Sequence, residues 1–176
     1  MRCGIFVGGA SRRMGRPKGT LCLGDETLLA RAVRVAREAG LEPCLLGEAS
    51  AYVGLVPDVA RVPDAWAGVG PLGGLRALVA EGEHAIGWAV DMPYVDASIL
   101  RALASYSSDA DVLLPRRSRW EPLCARWRCA PTAVAIDAAH AEGSYALQPL
   151  VARLRAEVFE LDPRRLDDWD CPEDVP

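Results

Sequence analysis

The stretch Arg2-Cys3-Gly4-Ile5-Phe6-Val7-Gly8-Gly9-Ala10-Ser11-Arg12-Arg13-Met14-Gly15-Arg16-Pro17-Lys18 decides how the rest of the chain is read. Ile5, Phe6 and Val7 form an apolar run with the character of a buried strand, and Gly8-Gly9 stops it in a turn without side chains. Such a turn can press bare backbone against a ligand. Beyond it come Ser11, Arg12, Arg13, Met14, Gly15 and Lys18, so amide donors and cations gather just past a strand's carboxyl end. That combination suits a triphosphate. It is not a P-loop, because Arg16 and Pro17 separate Gly15 from Lys18. Nor is it the dinucleotide G-x-G-x-x-G turn, because Gly8 and Gly9 are adjacent and position 12 is arginine.

Outward from this loop, strand and helix patterns alternate. Leu28, Leu29, Ala32, Val33, Ala36 and Ala39 recur at helical spacing up to Gly40, and short apolar runs predict strands at 43–46, 59–62 and 112–114. Residues 85–90 read as a central parallel strand buried on both faces. Helices are expected over 72–81, 97–105, 132–141 and 147–154, a hairpin or irregular strand pair over 116–130, and a last strand over 158–161. The order predicts an α/β fold, a three-layer sandwich around a mainly parallel sheet.

A chain of 176 residues fits one domain spanning 1–176. The net charge of −4 argues against a general nucleic-acid or membrane-surface binder, so any bound anion must be held locally. The start runs directly into the first strand and no apolar run reaches membrane-spanning length, so a cytoplasmic protein is expected. The six cysteines lack C-x-x-C pairing and read as reduced and mostly buried.

Asp91 follows the most apolar strand, where a carboxylate can bridge a hard divalent cation to phosphate oxygens or cap the next helix. Lys18 and Arg13 are either cations for a triphosphate or solvated surface charges. Arg116, Arg117, Arg119 and Arg126 interleave with Trp120 and Trp127, a composition for stacking a flat ring beside a phosphate or for a solvated hairpin. Trp66, Trp88 and Trp169 read as packing residues.

Strand, Gly8-Gly9, Ser11, Arg13-Met14-Gly15 and Lys18 together resemble the signature of Rossmann-like nucleotidyltransferases, and most closely the molybdenum cofactor guanylyltransferase family. Gly70-Pro71-Leu72, Asp91-Met92-Pro93, Glu121-Pro122-Leu123 and the tail 170–175 extend the resemblance along nearly the whole chain. The resemblance implies transfer of GMP from GTP to molybdopterin with release of pyrophosphate. It implies catalytic roles for Arg13, Lys18 and Asp91. Nucleotide contacts are implied for Phe6, Val7, Gly8, Gly9, Ser11, Met14, Gly15, Lys18, Gly47, Asp64, Gly70, Pro71, Leu72 and Asp91. Mg2+ is implied on Asp91, with Asp170 a second candidate ligand because it stands where relatives carry asparagine. Gly47 replaces a polar residue common in relatives, so a contact there must come from backbone. The segment 121–125 falls on the acceptor side. Transient contact with molybdopterin-delivering proteins or molybdoenzymes is a further implication. A molybdopterin cytidylyltransferase, a sugar-phosphate nucleotidyltransferase and a non-catalytic nucleotide- or cofactor-binding protein are the competing readings.

Overall fold

In the computed structural model, residues 1–8, 16–52, 54–169 and 174 are described. Strands β1 (Arg2–Phe6), β4 (Glu42–Leu46), β5 (Ala60–Val62), β6 (His84–Ala89), β7 (Val112–Leu114), β8 (Cys124–Arg128) and β9 (Ala156–Val158) form a seven-stranded sheet in the order β5-β4-β1-β6-β8-β7-β9. A small ladder, β2 (Cys22–Leu23) with β3 (Glu26–Thr27), turns at Gly24-Asp25. Within the large sheet β8 runs antiparallel to both β6 and β7, and the remaining pairings are parallel.

Side-chain alternation on the strands builds two cores. Cys3, Ile5, Ile86 and Trp88 face a layer containing α1 (Leu28–Glu38) and α3 (Ala97–Ser105). Phe6, Leu46, Ala85 and Trp127 face α2 (Pro71–Leu78), α4 (Cys129–Ala141) and α5 (Leu147–Val151). Helix α2 lies so close to β1 that a Cβ on Gly4 would sit 2.5 Å from Leu46 Cδ1 and 2.9 Å from Leu78 Cδ2. Both α1 and α3 carry side-chain caps: Thr27 accepts from the Ala30 amide at 3.2 Å, and Asp96 accepts from the Ser98 and Ile99 amides.

The α/β reading and the mainly parallel sheet are as the sequence predicts; several boundaries move. The first arm of the expected 116–130 hairpin reduces to a single bridge between Arg116 and Trp120, because the second arm, β8, pairs instead with β6 and β7. The last strand runs Ala156–Val158 rather than over 158–161, sharing only Val158 with the expected span: its partner β7 stops at Leu114, whose carbonyl takes the final bond from the Phe159 amide, and Pro115 follows. Helix α2 ends at Leu78, short of 81, and α5 at Val151, short of 154. Cys3, Cys44, Cys124 and Cys129 are buried and Cys22 is exposed; burial pushes the Cys44 thiol up to about 11.

Candidate functional site

The carboxyl ends of β1, β4 and β6 lie side by side, since β1 pairs with both neighbours in parallel. Each strand exits into the same edge: β1 into Val7-Gly8, β4 into Gly47-Glu48, and β6 into Val90-Asp91. The edge is tied across by the Val7 amide to the Leu46 carbonyl at 3.0 Å and by the Val90 amide to the Phe6 carbonyl at 3.2 Å. Open α/β sheets bind ligands at this edge. Here it holds a cavity of about 490 Å³ whose wall includes Phe6, Val7, Gly8, Lys18, Gly47, Asp64, Gly70, Pro71 and Asp91.

Two glycines bring bare backbone together. Gly47 has φ +90°, and a Cβ there would lie 3.0 Å from Gly8 Cα and 3.1 Å from Gly8 N. The absence of a polar side chain at position 47 is thus a packing requirement of the β1 and β4 exits.

At the β6 exit, Lys18 Nζ donates to Asp91 Oδ2 at 2.6 Å, with the two side chains 19% and 18% exposed. Lys18 opens the one-turn helix Lys18–Thr20, which precedes β2. The capping alternative for Asp91 is removed by Asp96, which occupies the N-cap of α3 and leaves the Asp91 carboxylate turned to the cavity and to Lys18. From below, the Trp169 amide donates to the Asp91 carbonyl at 2.9 Å, and the buried Trp169 ring packs in the α1 and α3 layer. The C-terminal segment therefore props the β6 exit.

At the other end, Asp64 follows β5. Its Oδ1 is buried with no hydrogen-bond partner among the described residues. Burial pushes its carboxyl above the ordinary value, the Gly47 amide pulls the other way, and the charge of Glu48 pushes it further up. Gly73 and Gly74 of α2 make room for it: Cβ atoms there would lie 3.1 Å from Asp64 Cβ and 3.2 Å from Asp64 Oδ1. The Ala65 amide binds the Gly73 carbonyl at 3.1 Å, and Trp66 stacks on His140 with ring centroids 3.8 Å apart. Gly70, at φ +63°, caps α2 and Pro71 begins it. β5 and β6 are three strand spacings apart, so Asp64 and Asp91 stand on the order of 14 Å from each other across the edge.

Of the other sequence-predicted site residues, Leu72 is wholly buried in the core beneath α2. Gly9, Ser11, Arg13, Met14, Gly15 and Asp170 lie outside the described residues. Sequence reasoning did not assign the wall residues Leu46, Glu48, Gly68, Ala89, Val90 and Leu123 to the site. Leu123 had a signal in Glu121-Pro122-Leu123: its carbonyl accepts from the Ala89 amide at 2.9 Å, which joins the acceptor-side segment to the same cavity. The arginines of that segment divide. Arg116 lies over the Trp120 ring at 4.9 Å and Arg117 pairs with Glu121 at 2.7 Å, whereas Arg126 is buried and donates to the carbonyls of Leu103, Ala104 and Tyr106 at the end of α3.

Among the described residues no group of three or more His, Cys, Asp or Glu is arranged to hold a metal ion. Asp91 nevertheless offers a hard oxygen donor at the cavity. Magnesium is commonly held by one or two carboxylates with substrate phosphates and water completing the shell. The donors present fit magnesium in company with a phosphate.

Comparison with known proteins agrees with this geometry. The chain is 34% identical to a probable molybdenum cofactor guanylyltransferase of Opitutus terrae, over 97% of this chain and 90% of that protein. A protein of the same name from Pelotomaculum thermopropionicum is 35% identical over 65% of this chain and 57% of its own length. The crystal structure of molybdopterin-guanine dinucleotide biosynthesis protein A from Archaeoglobus fulgidus superposes with a TM-score of 0.84 at 20% identity, covering 99% of this chain and 95% of that one. A 2-C-methyl-D-erythritol 4-phosphate cytidylyltransferase from Thermus thermophilus shares the fold at a TM-score of 0.70 and 15% identity, over 98% and 94% of the two chains. The MobA-like NTP transferase domain family matches residues 3–158, and the chain belongs to that family.

Proposed function

We propose that the protein transfers the guanylyl group of GTP to molybdopterin in the cytoplasm, forming the guanine dinucleotide cofactor and pyrophosphate, with residues 1–176 acting as one domain. The observation that carries this reading is one cavity with a buried carboxylate oxygen, unpartnered among the described residues, at the β5 end and a lysine-carboxylate pair at the β6 end. A guanine presents N1–H and an exocyclic amine side by side, two donors that Asp64 can accept, and cytosine does not. The triphosphate then runs toward Gly8 and Lys18.

The reaction joins an oxygen of molybdopterin's terminal phosphate to the α-phosphorus of GTP. The bond from that phosphorus to the bridging oxygen breaks, and its electron pair leaves with pyrophosphate. The attacking phosphate is already ionised, so no side chain need remove a proton. Lys18, and Arg13 by its place in the loop motif, neutralise charge that grows on the leaving group, which stabilises the transition state more than the bound substrate. Gly8 and Gly47 let the phosphates approach the backbone closely. Asp91, with Asp170 as a second candidate, would hold Mg2+. When bound, the ion supplies charge neutralisation and orientation of the phosphates. We assign Trp120 and Arg116, which stack on one another, to the acceptor side because they belong to the same segment as Leu123, a residue of the cavity wall.

The test is label transfer. GTP labelled at the α-phosphate, incubated with molybdopterin and magnesium, should yield labelled dinucleotide. Label that reaches the pterin from CTP instead would assign the chain to cytidylyl transfer. Nucleotide binding with no transfer from either would leave a binding protein.

A further inference from the structure

Tyr52 has no part in the chemistry above, yet it touches both stems of the glycine loop. It closes the one-turn helix Ser50–Tyr52 after β4 and is 2% exposed. Its hydroxyl donates to the Val7 carbonyl at 3.3 Å, on the stem that leads into the loop. The same oxygen accepts from the Gly19 amide at 3.4 Å, on the stem that leaves it, one peptide beyond Lys18. A phenol is suited to this because one group both donates and accepts. The ring is pressed on the second stem as well: a Cβ on Gly19 would sit 2.8 Å from Tyr52 Cε1 and 3.2 Å from Cζ.

The placement leads directly to the β6 exit. Lys18 takes the Leu21 amide on its carbonyl at 3.0 Å, which fixes its turn, and extends Nζ to Asp91. Burial raises the phenol above its ordinary value, opposed first by the Gly19 amide, and the charges of Asp91 and Lys18 both reach it. Tyr52 is therefore a neutral group at working pH and neither a base nor a nucleophile.

We infer that the Tyr52 hydroxyl is a positioning group that ties Val7 to Gly19 and so holds Lys18 in place against the leaving pyrophosphate. The catalytic half of this inference rests on the role given to Lys18 above; the tie itself does not.

Tyr52→Phe keeps the ring and removes the bridge. In the unliganded full chain its Gly19 amide should exchange hydrogen roughly 2- to 5-fold faster, the loss of one long hydrogen bond at the weak end of the usual range, while the melting transition remains cooperative. In pyrophosphate release, kcat should fall about tenfold with the KM for GTP within about twofold, because Lys18 acts on the charge of the transition state. Added to Lys18→Ala, Tyr52→Phe should cause no further fall in kcat. Unchanged Gly19 exchange would overturn the tie. An equal fractional loss of kcat in the Lys18→Ala background would overturn its action through Lys18. Should Lys18→Ala itself keep full turnover while Gly19 exchange still accelerates in Tyr52→Phe, the role of Lys18 falls and the tie between the stems stands.

Discussion

Asp64→Asn should make the protein more stable and a poorer user of GTP. The wild-type carboxylate pays for its position: Oδ1 is buried with no partner among the described residues, and burial, with the nearby charge of Glu48 and against the Gly47 amide, raises its carboxyl above the ordinary value. Asparagine keeps a polar atom at that position and removes only the charge, so it should return a part of the roughly 1–3 kcal/mol cost of an unpaired buried group, on the order of 1 kcal/mol after allowance for the partial exposure of the side chain. For a chain of this size that is a rise in Tm of about 2–4 °C. The pH sign follows from the raised folded value. The cost is absent in acid, where the group is protonated folded or unfolded; it grows as pH rises from the unfolded carboxylate value to the folded one, and is constant above. The gain from Asp64→Asn should therefore be full at neutral pH and vanish on acidification. Against it stands the loss of a charge-assisted bond to guanine, about 1.5–3 kcal/mol, or roughly a 10- to 150-fold rise in the KM for GTP. Thermal melts between acid and neutral pH, with pyrophosphate release as a function of GTP, measure both arms. A KM within twofold of the parent would refute the assignment of Asp64 to the base, and a lower Tm at neutral pH would refute the account of its burial.

Asp91→Asn should lower kcat by about 100-fold or more while circular dichroism stays native, since the residue stands at the sheet edge and Asp96 does the capping; near-parental turnover would contradict its role. Gly47→Ala should cost more than about 1 kcal/mol in a denaturant titration and weaken GTP binding, because its φ of +90° and its 3.0 Å approach to Gly8 Cα leave no place for a methyl group. Arg126→Met should cost about 1.5–3 kcal/mol of stability by removing the charged donor from three carbonyls at the end of α3, with the KM for molybdopterin unchanged. A raised KM at parental stability would instead place Arg126 in the acceptor site.

What could be read from the chain alone was what local pattern encodes. A strand that halts at Gly8-Gly9 announces a backbone turn, and the apolar run ending in Asp91 announces a central strand whose exit faces a ligand. That Lys18 and Asp91 would meet at 2.6 Å, 73 residues apart, follows from sheet order, and no local signal states it. The antiparallel insertion of β8 is invisible for the same reason: its apolar alternation is equally compatible with a hairpin to the segment before it. Arg126 read as one of several arginines beside a phosphate or on a solvated hairpin, but alternation along β8 turns it inward to the open end of a helix. Leu72 sits inside a motif whose neighbours line the cavity, and helical periodicity turns its side chain to the core. Tyr52 carried no motif; its two bonds join segments that only the folded chain brings together.

Guanylyl transfer is tested most simply by measuring pyrophosphate release from each of the four ribonucleoside triphosphates, with magnesium, in the presence and absence of molybdopterin. Release is expected from GTP and only when molybdopterin is present. Release that prefers CTP, or silence with all four, would contradict guanylyl transfer.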